Sequence, residues 1–167
     1  MHYLNNNDIT IMKNIHEWNN EYAVYHKNKT NKIIHWFCIP LIMYSLFGIL
    51  SQLSFSFTLN DNNYTINILV IFIVLATLYY FKLSKKLAIG MLIVTILLVK
   101  LLDIIDIFNS ELHLIIYLSI FSIAWVGQFL GHKIEGKKPA FFKDLQFLLI
   151  GPLWLLSYIY KRLRIKF

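Results

Sequence analysis

The run Ile33–Leu53, IIHWFCIPLIMYSLFGILSQL, decides the class of this protein, because it is almost unbroken in apolar character over the length that one helix needs to cross a hydrocarbon core. Similar runs follow at Tyr64–Phe81, Leu87–Leu102 and Leu112–Leu130, and a broken one at Leu145–Tyr160. A spanning helix takes about 20 residues and roughly 17 at the least, so Leu87–Leu102 crosses only if Lys100 snorkels to the boundary. Gly151-Pro152 interrupts the last run, and a proline that lacks a donor and clashes with the preceding turn predicts a kink or a turn back there. The expected architecture is all-α, an integral membrane bundle forming a single domain over 1–167. Its four spans lie at 33–53, 64–81, 87–102 and 112–130, and 139–160 forms re-entrant or interfacial helices, with Pro139 at a helix start.

Composition agrees with this reading. The chain is 57% hydrophobic and 15% charged, against roughly 45–50% and about 25% in soluble domains. Its net charge of +7 is explained by cation-rich cytosolic loops, and no nucleic-acid partner is expected. Cys38 is the single cysteine, which excludes an internal disulfide framework and a multi-cysteine metal site. The opening MHYLNNNDIT has no basic stretch followed by an apolar core, so no cleaved secretory signal is expected.

Charge placement sets the orientation. With four spans, every Lys and Arg except Lys100 falls on one side: Lys13–Lys32, Lys82–Lys86, Lys133–Lys143 and Lys161–Lys166. The opposite loops hold Asp61 and then Asp103, Asp106 and Glu111. The positive-inside rule therefore puts the N-terminus, the middle loop and everything after the fourth span in the cytosol. Ahead of the first span, Ile11, Ile15, Trp18, Tyr22 and Tyr25 repeat at helical spacing. An amphipathic helix over 8–27, with Asp8 as a capping residue, is expected to lie against the membrane or the other helices.

Chemistry-bearing residues gather at the cytosolic boundary. His26 ends the amphipathic segment and His35 opens the first span, nine residues later; on one continuous helix they would face opposite ways, about 13 Å apart. They share a ligand only if the chain turns within Lys27–Asn31, with Thr30 or Asn31 capping the span. At the end of the fourth span Gln128, His132 and Glu135 recur at spacings of four and three, hence on one helical face. Topology brings this face to the depth of His26 and His35. Three histidines and a carboxylate suit a divalent metal with open positions, although interfacial histidines also serve as amphipathic anchors. His113 lies about 28 Å from His132 along its helix and belongs elsewhere, His16 is expected in solvent, and Cys38 reads as a helix thiol rather than a ligand.

Tyr25-His26, Asn31, His35-Trp36-Phe37-Cys38-Ile39-Pro40 and the long motif Trp125–Ala140, WVGQFLGHKIEGKKPA, resemble the 2-hydroxy fatty acid dioxygenase family. This is a membrane family long catalogued as a domain of unknown function, whose fungal members act in turning phytosphingosine into odd-numbered fatty acids. The resemblance covers nearly the whole chain. It implies an Fe(II)-dependent enzyme of fatty acid α-oxidation that uses O2 to convert a 2-hydroxy fatty acid into the acid one carbon shorter and CO2. By position, it draws the iron ligands from His26, His35 and His132, with Glu135 as a fourth ligand or an outer partner. Asn31 and Gln128 are candidates for orienting imidazoles, and Lys133, Lys137 or Lys138 for pairing with the substrate carboxylate. The expected location is the inner membrane of a bacterium or the endoplasmic reticulum of a eukaryote, with the site facing the cytosol. A non-catalytic lipid-binding scaffold and a zinc-dependent hydrolase are the alternatives, since His and Glu ligands do not separate zinc from iron.

Overall fold

A computed structural model of the chain describes residues 13–106, 112–136 and 141–167. Among the described residues are α1 (Ile15–Val24), α2 (Lys29–Ser51), the hairpin β1 (Ser54–Leu59) and β2 (Asn62–Asn67), α3 (Ile68–Leu83), α4 (Lys85–Asp106), α5 (His113–Glu135) and α6 (Phe141–Arg162). The fold is mostly helical, as expected. Two helices, α2 and α5, are long and apolar enough to cross a membrane; α3 is also apolar but only 16 residues long. Large aliphatic side chains such as Val74, Leu75, Ile93, Leu97 and Ile123 stand exposed on the outside of α3, α4 and α5.

The spine of the fold is an antiparallel pair. Gly131 on α5 meets Asn31 and His35, Gly127 meets Cys38, and Gly48 on α2 meets the ring of Tyr117, so the start of α2 lies beside the end of α5. A Cβ on Gly131 would collide with Asn31 Oδ1 and come within 3.1 Å of His35 Cε1. Small residues at these crossings let the two backbones close up, as in packed membrane helices. Tyr117, fully buried, fills the far half of the interface with Tyr44, Phe47, Leu69 and Leu102.

Several elements differ from the sequence expectation, each for a physical reason. Residues 62–67 form a strand rather than the first turn of a span from 64, and Asn60-Asp61 is the turn that leads into it. Asn60 and Asp61 both take positive φ, 50° and 62°, which is the backbone of a tight hairpin turn and suits Asn and Asp. Helix α4 continues past residue 102 to Asp106, and Asp103 pairs with Lys100 one turn back at 3.3 Å. Helix α1 begins at Ile15, where the Asn14 side chain accepts from His16 N and Glu17 N, and the Glu17 carboxylate accepts from Asn14 N. This reciprocal box satisfies the first-turn donors; Asp8 lies outside the described residues.

Helix α6 is one continuous helix through Gly151-Pro152, so of the kink or turn back expected there the turn back does not occur. An interior proline costs about 3 kcal/mol. Full burial of Ile150 and Leu153, at about 1.5–3 kcal/mol each, offsets that cost. Phe147 of α6 packs on Tyr22 at 5.1 Å between ring centroids, and the Tyr160 hydroxyl donates to Lys86 O at 3.2 Å. Because the chain returns along α3, the α3–α4 turn beside Lys86 lies at the same end of the bundle as the start of α2. This stretch of α6 therefore runs along that end, and the Lys86 ammonium donates to Lys166 O at 2.7 Å. The apolar stripe of α1 faces α6, with Ile15 and Tyr22 buried, and buried Asn19 Nδ2 donates to Ser157 Oγ at 3.1 Å.

Candidate metal centre

The chain does turn between His26 and His35, and the turn brings the two rings together. After α1 ends, Asn28 caps α2, accepting from Thr30 N at 2.8 Å and Asn31 N at 3.3 Å; the capping residue is thus Asn28, not Thr30 or Asn31. The His26 and His35 ring centroids are 4.2 Å apart. His132, from the last turns of α5, lies 5.4 Å from His26 and 5.0 Å from His35 by the same measure. One ring nitrogen from each of the three falls within 4.8 Å of the other two, and all three residues are buried.

Backbone carbonyls fix the protonation of two rings. His26 Nδ1 lies 2.7 Å from Tyr22 O and His35 Nδ1 lies 2.9 Å from Asn31 O, each carbonyl belonging to the residue four earlier. A carbonyl only accepts, so each Nδ1 carries the proton and each Nε2 presents a lone pair. Both Nε2 atoms are buried with no hydrogen-bond partner among the described residues, an arrangement that costs about 1–3 kcal/mol per group unless a ligand completes it. Burial also pushes the pKa of His26 down to about 4, which keeps the ring neutral and able to ligate at neutral pH. Convergent imidazoles with second nitrogens anchored to carbonyls fit a divalent transition metal.

Glu135 does not join the converging nitrogens. Its Oε1 accepts from Lys27 N at 2.8 Å, and its Oε2 from Asn28 N at 2.9 Å and Asn31 Nδ2 at 3.0 Å. The carboxylate therefore clamps the α1–α2 turn to the end of α5 and holds His26 and His35 against His132. Asn31 completes the clamp with a second donor bond from Nδ2 to Tyr25 O at 3.0 Å; it is the backbone carbonyl of Asn31, not its side chain, that orients an imidazole. Gln128 is buried, its Nε2 has no hydrogen-bond partner among the described residues, and it lines the adjoining cavity. Lys133 is exposed, and Lys137 and Lys138 lie outside the described residues.

That cavity has Tyr22, His26, Gln128 and His132 at its polar side and Ile39, Ile42, Met43, Phe129, Phe147 and Leu148 along the rest. Fully buried His35 is not in its wall. A second, apolar cavity shares Met43, Leu148 and Pro152 with the first in its lining and has Phe72 and Thr95 in its wall. The histidine cluster thus borders apolar space.

The chain matches the family described as 2-hydroxy-palmitic acid dioxygenase Mpo1-like over residues 12–163. It belongs to that family. No curated protein and no solved structure matches it. The Mpo1-like region runs from before α1 to beyond α6, so it includes every histidine of the cluster together with Asn31, Gln128 and Glu135. His113 begins α5 at the opposite end, and exposed His16 stacks on Phe167 at 5.9 Å; neither joins the cluster.

Sequence reasoning missed the aromatic wall of the Mpo1-like site. Tyr22 stacks on His26 at 4.1 Å and 5°, and Trp154 stands 5.4 Å from the same ring. The Tyr22–His26 spacing of four carried a signal for the first contact, since residues so spaced share a helical face. Nothing local marks Trp154, which arrives through the packing of α6.

Proposed function

We propose that this Mpo1-like protein is an Fe(II)-dependent membrane dioxygenase that takes a 2-hydroxy fatty acid and O2 to the acid one carbon shorter, CO2 and water. The observation that carries the reading is the pair of buried Nε2 lone pairs on His26 and His35, lacking partners among the described residues and converging with His132 beside an apolar cavity. Iron(II) held by these histidines would supply the electrons through which a spin-paired organic acid reacts with O2. The chain's own residues bind and orient the acid. His26 and His132 face the cavity, so the carboxylate and hydroxyl approach from that side while His35 closes the back. Gln128 Nε2 is available to donate to a substrate oxygen, and Met43, Phe129 and Leu148 enclose the first part of the alkyl chain. Tyr22, Trp154 and Phe147 shield the His26 ring from water.

The bilayer is the proposed surrounding, supported by the apolar length of α2 and α5 and by the exposed aliphatic surface of α3–α5. The charge distribution supports a site facing the cytosol. Three imidazoles also suit zinc, so the test starts with the metal. Protein purified anaerobically is analysed for iron and zinc, then given 2-hydroxyhexadecanoate labelled at the carboxyl carbon, with and without O2. The expected result is bound iron and O2-dependent formation of the shortened acid, with the label in CO2 and no need for 2-oxoglutarate. Zinc as the resident metal, or iron-loaded protein inert toward 2-hydroxy acids of several lengths, would overturn the proposal.

A further inference from the structure

The hairpin between α2 and α3 is exposed along both strands, yet its two faces are chemically opposite. The register sets Phe55 opposite Ile66 and Phe57 opposite Tyr64. Because side chains alternate along a strand, these four and Leu59 share one face. Phe57 stacks on Tyr64 at 5.5 Å and on Phe55 at 6.1 Å between centroids. The other face is hydroxyl and amide: Ser56 Oγ and Thr65 Oγ1 are 3.0 Å apart, and Thr58 Oγ1 donates to Asn63 Oδ1 at 2.7 Å.

A lone two-stranded hairpin with an uncovered apolar face is marginal in water. It cannot sit in hydrocarbon either, because both its edges are unpaired. The remaining environment is the boundary between the two. The hairpin is fastened there: Ile68 N donates to Leu53 O at 2.9 Å and Asn67 Nδ2 to Ser51 O at 2.8 Å, so it begins where the apolar helix α2 stops and ends where α3 starts. Its aromatic face is continuous in chain and character with the exposed aliphatic surface of α3, and aromatic residues concentrate at membrane–water boundaries.

We propose that the aromatic face of the hairpin docks on the surface of the bilayer, at the end of the bundle opposite the histidines. Its occupant is the lipid headgroup and upper acyl region, with the Ser/Thr/Asn face turned to water. This anchor holds the far ends of α2 and α3 at a fixed depth. The inference rests on the membrane reading of the bundle and is independent of the metal and the reaction.

Site-directed spin labelling tests it, since Cys38 is the sole cysteine. Single cysteines replace Phe55, Ser56, Phe57, Thr58 and, as a lipid-facing reference on α3, Leu75. Cys38→Ser and Cys38→Ala parents are both used, so that failure of one to fold does not end the experiment. In reconstituted bilayers, the ratio of accessibility to O2 over a water-soluble nickel chelate should be several-fold higher at 55 and 57 than at 56 and 58, and high at 75. Equal chelate access on both faces, with 75 still in lipid, overturns the hairpin inference alone. Labels at 55 and 57 that are immobilised and shielded from both reagents also overturn it, by showing that protein, such as a second copy, covers the face. Chelate access at 75 overturns the membrane reading and this inference together.

Discussion

Asn31 Nδ2 donates to Glu135 Oε2 across 3.0 Å, and this bond joins the first turn of α2 to the last turn of α5 at the base of the histidine cluster. The same carboxylate accepts from the backbone of Lys27 and Asn28, so one side chain from α5 sets the path of the chain between two of the three histidines.

Glu135→Gln keeps the shape but loses the charge and one acceptor oxygen of the clamp. Iron affinity should fall about 10–100-fold, with full occupancy recovered at saturating iron, as expected for a partner that orients ligands. Asn31→Ala should act in the same direction. Titration of iron into metal-free protein measures both, and loss of all binding by Glu135→Gln would instead make the carboxylate a ligand.

Ala at His26, His35 or His132 should each remove most of the bound iron and the activity. Ala at His16, exposed, or His113, at the far end of α5, should leave iron content unchanged. Metal analysis of the purified variants gives the answer, and wild-type iron in the combined His26/His35/His132 variant would reject the site.

Gly131→Ala places a methyl against Asn31 Oδ1 and within 3.1 Å of His35 Cε1. Overpacking of this kind costs about 1–3 kcal/mol, and here it also pushes His35 away from His132, so stability and iron affinity should fall together. Gly136→Ala is the contrast. That residue has open space around it but a φ of +71°, so the change should cost roughly 1–2 kcal/mol of conformational strain and leave iron content alone. Thermal unfolding in detergent, paired with iron analysis, separates the two.

Met43 stands in the wall common to the two apolar cavities. Met43→Trp should narrow the space at this shared wall and shift preference toward shorter acids. Each methylene denied burial weakens binding by up to about 0.8 kcal/mol relative to water, or about fourfold. Competition among 2-hydroxy acids of graded length, with iron content checked in parallel, detects the shift; an unchanged length profile would remove the second cavity from the substrate path.

The helical class and the joining of His26, His35 and His132 were legible because they follow from apolar run length, helical spacing and charge placement. The hairpin was not, because Tyr64–Asn67 is apolar enough at one end to merge with the run that follows, while the period-two alternation of Ser54–Leu59 is too short to stand out beside it. The clamp role of Glu135 was hidden for another reason. Spacing places a carboxylate on the right helical face, but only the path of residues 25–28 decides whether its oxygens meet a metal or backbone N–H groups. The continuity of α6 past Pro152 depends on burial of Ile150 and Leu153, which no local pattern reveals.

The antiparallel contact of α2 with α5 also imposes an order on biosynthesis. His26 and His35 leave the ribosome early, while His132 follows only after the hairpin, α3 and α4 have been made. Until α5 threads back along α2, two imidazoles wait without their third and without the carboxylate that holds their turn in place. A metal that needs all three imidazoles could therefore be captured only late in maturation, and a nascent chain arrested before α5 would lack the complete cluster.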